Sequence, residues 1–297
     1  MGGLGFIGKR FIRKYQNIHE IIVFATRNDI ERAKDILSLD QIKVEEGSVE
    51  IDRFVGVVTR YKPEAIIHLA ALTGIKKCND NPKLAFEVNV YGTYNVLRGC
   101  LASKSKLIFI SSREVYGETI KEESKEDDPM IPKNTYGLTK MLGETLVSQE
   151  GFKHDLDYTI LRLTNVYGPE GDQYGAQIMI NDAIKHQKIK ILGGGQQLNY
   201  MYVDDVVDLI NLVLDDKRSS RQVFNVGSRD TLKIEEFASE VVKAVGGKVE
   251  IEYLPMRDTE TINFKPSLNK LKNVLNFSAK TSIAEGIQKT IQWYNRH

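Results

Sequence analysis

Apolar positions in the first two thirds of the chain fall into short dense runs: EIIVFA at 20–25, IKVEE at 42–46, AIIHLA at 65–70, KLIFISS at 106–112 and YTILRL at 158–163. They are nearly continuous rather than strictly alternating, the pattern of strands covered on both faces by helices. Between them the apolar spacing is helical, most plainly over 82–102 and 134–150. Strand and helix patterns taking turns predict an α/β fold, a doubly wound parallel sheet. Residues 170–200 then turn Gly- and Gln-rich, and GGGQQLN at 193–199 reads as a glycine-marked loop rather than a periodic element. Beyond it lie a helical segment at 204–215, a strand VFNVG at 223–227, and helical patterns near 233–245 and 282–295. The predicted division is a first domain over 1–166, rejoined by 204–228, and a smaller one mainly over 167–297.

The chain opens MGGLGFIGKRFI, with Gly2, Gly5 and Gly8 spaced three apart and Phe6 and Ile7 between the last two, ahead of an amphipathic helical pattern. Such glycines permit a tight turn and close backbone approach to a pyrophosphate, while the helix N-terminus offers free N–H groups to the anion. The first domain therefore reads as a Rossmann-type dinucleotide-binding unit. In that fold a strand precedes the loop, and here only Met1 does. A missing central strand would orphan backbone groups on two neighbours, so the natural protein is expected to start several residues upstream with a short apolar strand. The run at 21–25 ends in Thr26 and Arg27, where a fold of this kind usually carries an acidic residue for the ribose hydroxyls. A hydroxyl and a guanidinium would suit a 2′-phosphate; equally, Arg27 reads as a solvated loop cation. NAD and NADP both stand as cofactors at this point.

Charge narrows the partners. The chain of 297 residues carries 41 Lys+Arg against 40 Asp+Glu, so no overall field draws it to nucleic acid or an acidic membrane. No apolar run approaches the roughly 20 residues of a spanning helix, and no leader opens the chain, which makes a cytoplasmic location the expectation. The two cysteines, Cys78 and Cys100, have no metal-ligand spacing and read as small buried hydrophobes; no metal is expected.

Candidate chemistry lies in PKNTYGLTK at 132–140, which places Tyr136 and Lys140 one helical turn apart on one face. An ammonium beside a phenol stabilises the phenolate, lowering a pKa ordinarily near ~10 toward general-base range. This is the only YxxxK match in the chain. The preceding strand ends in SSREVYG (111–117), whose Ser112 could donate to the same substrate oxygen.

These segments, together with HLAA (68–71), NVYGTYNVL (89–97), RLTNVYGP (162–169) and YVDDVVD (202–208), occur in the order found in extended short-chain dehydrogenases/reductases. The chain resembles the NAD-dependent epimerase/dehydratase family, whose best-known members are similar to UDP-glucose 4-epimerase, and the resemblance covers essentially all of it. It implies a nucleotide-diphosphate sugar as substrate. Ser112 would orient the sugar hydroxyl, Tyr136 take its proton, and Lys140 tune Tyr136 and hold the nicotinamide ribose. It further implies that Leu69, Ala70, Ala71 and Ser111 line the cofactor, that Asn89 supports the site backbone, that Asn165 contacts the sugar nucleotide and that Arg257 clamps its diphosphate. Asn89 as an internal hydrogen-bonder of its helix and Arg257 as a loop charge stand beside these readings. Two departures are visible. Leu198 and Asn199 stand near where many relatives carry an arginine for the diphosphate, and Ser48 replaces an aspartate that often contacts the adenine.

The family supports several reactions from one C4-oxidised intermediate, so fold and triad do not choose among them. Epimerisation at C4 is the leading expectation because it needs only Ser112, Tyr136, Lys140 and a cofactor that stays bound. Dehydratases of the family carry adjacent Asp-Glu beside the catalytic hydroxyl, where this chain has Arg113-Glu114. Glu114 keeps decarboxylation of a uronic acid open, and reads equally as a structural partner of Arg113 or Lys140. Dehydratase, 4-ketoreductase and a non-catalytic nucleotide-binding relative complete the alternatives. Leu84, Val88, Tyr91 and Asn95 form one half-apolar helical face, fitting either the core or a second copy, and a homodimer is expected.

Overall fold

The computed structural model describes residues 1–33, 36, 42–51, 53–119, 121–171 and 175–296. In chain order the described strands are β1 (Ile21–Ala25), β2 (Ile42–Glu46), β3 (Ala65–His68), β4 (Lys106–Ser112), β5 (Tyr158–Leu163), β6 (Asn165–Tyr167), β7 (Lys188–Leu192), β8 (Gln197–Tyr202), β9 (Gln222–Val226), β10 (Thr231–Lys233) and β11 (Glu250–Leu254). The described helices are α1 (Phe6–Tyr15), α2 (Arg27–Arg32), α3 (Arg53–Tyr61), α4 (Ile75–Asp80), α5 (Pro82–Phe86), α6 (Gly92–Ser103), α7 (Thr135–His154), α8 (Gly175–His186), α9 (Val203–Asp215), α10 (Ile234–Val245), α11 (Asn269–Leu275) and α12 (Ile283–Tyr294).

β2 pairs β1, and β3, β4, β5 and β9 pair in that order, every neighbour parallel. Adjacent residues of these strands are buried on both faces, for example Ile108 with Phe109 and Ile160 with Leu161, which accounts for their unbroken apolar sequence. β1 and β3 do not pair with each other. Met1 and Gly2 stand between them: the Met1 amine donates to Ile67 O at 3.0 Å, Leu69 N donates to Met1 O at 3.0 Å, and Gly2 N donates to Phe24 O at 3.1 Å.

A further buried cluster lies away from this sheet, where Tyr167, Tyr200 and Tyr202 pack with Phe237, Phe264 and apolar residues of α8, α10 and α12. β6, β8 and β10 form one small sheet beside it and β7 with β11 another.

Two expectations are corrected. The loop read over 193–199 ends at Gln196, because Gln197–Asn199 open β8; the turn around Gly193 and Gly194, both at positive φ, answers to the glycine signal, and the Gly- and Gln-rich stretch before it holds α8 and β7. Residues 172–174 of that stretch lie outside the described residues. The single helix expected over 82–102 is α5, a π-turn over Glu87–Tyr91, and α6. The wider turn resets the helical face. Leu84 and Tyr91 are exposed while Asn95 is buried, its amide donating to Val49 O at 2.9 Å. Cys78 and Cys100 are both buried free thiols.

Candidate active site

The glycine loop is shaped by close backbone approach. A Cβ on Gly8 would stand 2.4 Å from Gly3 O, and one on Gly2, at φ +66°, would stand 2.6 Å from Ala70 N. Only glycine lets α1 begin there and lets the loop lie against Leu69 and Ala70. Gly5 caps α1 with no side-chain bond, which leaves the first-turn N–H groups of Phe6 and Ile7 to an external acceptor. Ala71 follows on the segment whose Leu69 and Ala70 lie against Gly2.

The end of β1 is arranged differently from the 2′-phosphate reading. Thr26 caps α2: its hydroxyl accepts from Asp29 N and donates to Asp29 Oδ2 at 2.7 Å. Arg27 is largely exposed and pairs with Glu31 at 3.2 Å. The hydroxyl is thus engaged by Asp29, which brings to this corner the carboxylate that the strand end itself lacks, and the guanidinium lies in solvent as a loop cation. Ser48 likewise donates to Glu50.

β4 delivers Ser112 at its carboxyl end, buried, its hydroxyl accepting from Glu114 N at 3.2 Å and so free to donate its own hydrogen to a substrate oxygen. α7 delivers the other two groups. Asn134 caps it through a 2.8 Å bond from Gly137 N, and the face that follows, Gly137, Lys140, Glu144 and Val147, is buried. Tyr136 packs in the first turn against the small cluster of Leu72, Cys78 and Ala85. One turn on, the Lys140 ammonium donates to Ile110 O of β4 at 2.8 Å and lies 5.0 Å above the Phe109 ring. Burial pushes this ammonium down to about 8, with the nearby Glu144 carboxylate acting in the opposite sense. Asn89 sits in the π-turn, a distortion that commonly marks functional positions. Its carbonyl accepts from Leu72 N at 2.7 Å, and its amide donates to Leu72 O at 3.0 Å and Thr139 Oγ1 at 2.9 Å. One side chain thereby ties the segment after Ala71 to the helix carrying Tyr136 and Lys140.

Under this lies a network that sequence reasoning missed. Glu144 meets Arg162 through bonds of 2.7 to 3.0 Å, both side chains almost fully buried. Ser111 donates to the same carboxylate, so its hydroxyl faces Glu144. Arg162 also donates to Glu126 O at 2.9 Å, and Tyr116 OH donates to Asn225 Oδ1 at 2.7 Å. The signal was present: an arginine inside the apolar run YTILRL needs a buried carboxylate partner, and Glu144 falls four residues after Lys140.

Glu114 is buried, paired with Arg113 at 2.8 Å and accepting from Asn134 Nδ2 at 2.9 Å. Of the expected substrate contacts, Asn165 donates to Asn199 O at 2.8 Å, which carries it to the edge of β8. Asn199 is itself spent on structure, donating to Ser228 O and Asp230 O. Arg257 is exposed and paired with Glu260 at 3.3 Å, and Glu260 in turn lies close enough to Arg113 and Glu114 to feel their charges. Among the described residues no group of carboxylates, histidines or cysteines could hold a metal ion, and no helix is long and apolar enough to cross a membrane.

Comparison with known proteins agrees with this geometry. A UDP-N-acetyl-alpha-D-glucosaminuronate decarboxylase of Bacillus cytotoxicus is 30% identical over 78% of this chain and 76% of its own. A UDP-glucose 4-epimerase of Mycolicibacterium smegmatis is 28% identical over 99% of this chain and 96% of its own. Among solved structures, the UDP-glucose 4-epimerase of Thermotoga maritima with UDP-glucose is 26% identical at a TM-score of 0.90, covering 99% and 97% of the two chains. That of Thermus thermophilus in complex with NAD is 25% identical at a TM-score of 0.89, with the same coverage. The proteins similar to this chain are enzymes, and the family profile spans residues 1–227, the stretch holding the glycine loop, Ser112, Tyr136 and Lys140. The chain belongs to the NAD dependent epimerase/dehydratase family.

Proposed function

We propose that the protein is a nucleotide-diphosphate-sugar 4-epimerase that oxidises and re-reduces the sugar C4 with resident NAD. The observation that carries this reading is Lys140, a buried ammonium anchored to Ile110 O one helical turn from Tyr136 and beside the strand that ends at Ser112. In this reading residues 1–166, with 204–228, bind the dinucleotide, and 167–297 mainly bind the sugar nucleotide. The loop of Gly2, Gly5 and Gly8 with Phe6 and Ile7 receives the pyrophosphate, and Leu69, Ala70 and Ala71 flank it. Thr26 engaged by Asp29, whose carboxylate stands at this corner, supports NAD over NADP. NAD supplies the two-electron acceptor at C4.

The chain's own groups handle the proton. Ser112 donates to the C4 oxygen and fixes its position. Tyr136, as phenolate, takes the hydroxyl proton as the carbonyl forms and returns it when C4 is reduced from the other face. Lys140 places its positive charge near the phenolate. Asn89 holds the facing segment in register. Asn165 borders the sugar-nucleotide side, and Arg257 reaches the diphosphate by exchanging Glu260 for it.

The buried carboxylate of Glu114 beside Ser112 favours a second reading, decarboxylation of a nucleotide-linked uronic acid. Oxidation at C4 would then leave a ketone β to the C6 carboxylate. The C5–C6 bond breaks, its electron pair delocalises into the ketone, carbon dioxide leaves and C5 is reprotonated. The dehydratase reading is weakened because Arg113 stands where an acid would be needed.

Tyr136→Phe tests the common step. Turnover on a sugar nucleotide should fall by at least a thousandfold while the folded protein keeps its nucleotide, read by mass spectrometry after denaturation. Retained activity would overturn the assignment. Product analysis by NMR separates the two readings, an epimer against loss of carbon dioxide. A homodimer goes with either. Leu84, Phe86, Tyr91 and Tyr94 leave an exposed apolar and aromatic stretch on α5, the π-turn and α6. Light scattering should report twice the chain mass, and Tyr91→Glu with Tyr94→Glu should halve it.

A further inference from the structure

On α7, Lys140 and Glu144 stand one turn apart on the buried face, and both reach β4 at consecutive residues. The Lys140 ammonium donates to Ile110 O at 2.8 Å, the Glu144 carboxylate accepts from the Ser111 hydroxyl, and the next residue of the strand is Ser112. Ser111, Arg162 and Asn225 are register partners across β4, β5 and β9, so they form a polar row along one face of the sheet, one residue before the reacting serine. Glu144 closes on this row through Arg162 at 2.7 to 3.0 Å. Arg162 is held in turn by the Tyr116 hydroxyl, over whose ring it lies at 4.8 Å, and by Glu126 O at 2.9 Å. Asn225 accepts from the same Tyr116 hydroxyl and donates to Ser124 O at 2.9 Å.

A buried ion pair of this kind adds little net stability, because desolvating both groups offsets their attraction. Its place has a clearer consequence. With Lys140 tied to Ile110 and Glu144 to Ser111, α7 cannot slide or roll along β4 without breaking one of two buried bonds, and this sets the spacing between Ser112 and the pair Tyr136 and Lys140. Misplacement of reacting groups by about 1 Å is costly to catalysis. The carboxylate also faces an ammonium that burial opposes. Apart from Tyr136 itself, the other titratable groups facing Lys140 among the described residues offer it no counter-charge: His68 on β3 is kept neutral, first by burial, and burial pushes the Cys78 thiol on α4 up to about 11. Arg162 on β5 adds a second positive charge, which the same carboxylate answers.

Resting on the proposed function, we infer that Glu144 is a positioning residue for the proton transfer: clasped between Ser111 and Arg162, it fixes α7 against β4 so that Tyr136 and Lys140 meet the substrate oxygen held by Ser112, and it supplies the counter-charge that keeps the Lys140 ammonium beside Tyr136. It acts through Lys140 and Ser111 rather than on the substrate.

The test is the pH dependence of turnover by the NAD-loaded enzyme, with UDP-glucose, UDP-N-acetylglucosamine, UDP-glucuronate and dTDP-glucose as probes. Glu144→Gln should lower kcat about tenfold or more while KM stays within about threefold. It should also draw the alkaline limb of the kcat profile to lower pH by about half a unit or more, because Lys140 then loses its proton sooner. Ser111→Ala keeps the ion pair and removes only its tie to β4, so kcat should fall about threefold or more with KM again within about threefold. Replacing Glu144 and Arg162 together by Leu and Met relieves the uncompensated charge, and should recover the melting temperature without recovering kcat. If Glu144→Gln does not fold, Ser111→Ala and this double replacement decide. A kcat that stays at the wild-type value in Ser111→Ala, or one that returns with the melting temperature in the double replacement, would show a purely structural pair and overturn the inference. A Glu144→Gln profile that falls in height without moving in pH would do the same. A further readout needs no turnover: the near-ultraviolet phenolate absorbance that Tyr136→Phe removes should appear at higher pH in Glu144→Gln than in the wild type. Wild-type enzyme that turns over none of the probes would overturn the proposed function, whereas a Tyr136 titration unmoved by Glu144→Gln would overturn this inference alone.

Discussion

Lys140 should be a residue whose removal costs all activity and no stability near neutral pH. Its ammonium is fully buried and pushed from 10.5 down to about 8, chiefly by desolvation. At about 1.4 kcal/mol per tenfold change in the proton equilibrium, this amounts to about 3 kcal/mol of folding stability withheld while the group is charged. The sign follows from where the protons are. Below pH 8 the lysine is protonated in both folded and unfolded chains and the whole penalty stands. Between about 8 and 10.5 the folded chain has released its proton and the unfolded chain has not, so stability rises with pH. Above 10.5 neither is charged and the contribution vanishes.

Lys140→Met removes the charge while keeping an unbranched chain over Phe109, at the cost of the bond to Ile110 O, about 1 kcal/mol net. Packing and hydrogen-bond effects are nearly independent of pH, so the informative quantity is the change in the wild-type-to-variant difference between pH 7 and pH 10.5. It should be about 3 kcal/mol in favour of the variant at pH 7. At roughly 2 °C per kcal/mol for a chain of this size, the gap between the two melting temperatures should shift by about 6 °C, read by circular dichroism on nucleotide-free protein. Turnover should be lost at both pH values. A difference that stays flat from pH 7 to pH 10.5 would show that Lys140 is not charged against its surroundings, and would remove the electrostatic argument for an activated Tyr136.

Gly8→Ala should empty the cofactor site. Its Cβ would lie 2.4 Å from a backbone oxygen, so the start of α1 must move, costing about 1–3 kcal/mol, and mass spectrometry of denatured protein should find little NAD. Glu144→Gln should leave Arg162 buried and uncompensated, lowering stability by about 3–5 kcal/mol in urea denaturation. Replacing Glu144 and Arg162 together by Leu and Met should cost less than that single change.

The sheet was legible because strands buried on both faces must be apolar without interruption. The observed bounds of β1, β2, β4 and β5 fall within a residue of the runs read from the sequence. Elsewhere glycine misled. GGGQQLN reads as a loop through Asn199 although β8 opens at Gln197, and KIKIL at 188–192, which buries its two isoleucines and exposes Lys190, has the alternation of a half-buried strand. α3 and α11 were passed over because short amphipathic segments carry little periodic signal. The π-turn was not legible at all. It depends on which carbonyl each amide reaches, and that register leaves no trace in composition, yet it decides that Asn95 turns inward and that Asn89 meets Leu72.

The site divides along a similar line. Ser112, Tyr136 and Lys140 are readable because proton transfer demands particular side chains at a particular helical spacing. What holds them is less so, since a supporting carboxylate can come from any element that reaches the site. Glu144 and Arg162 are nonetheless recoverable from sequence by a different rule: a charge inside an unbroken apolar run cannot stay unpaired.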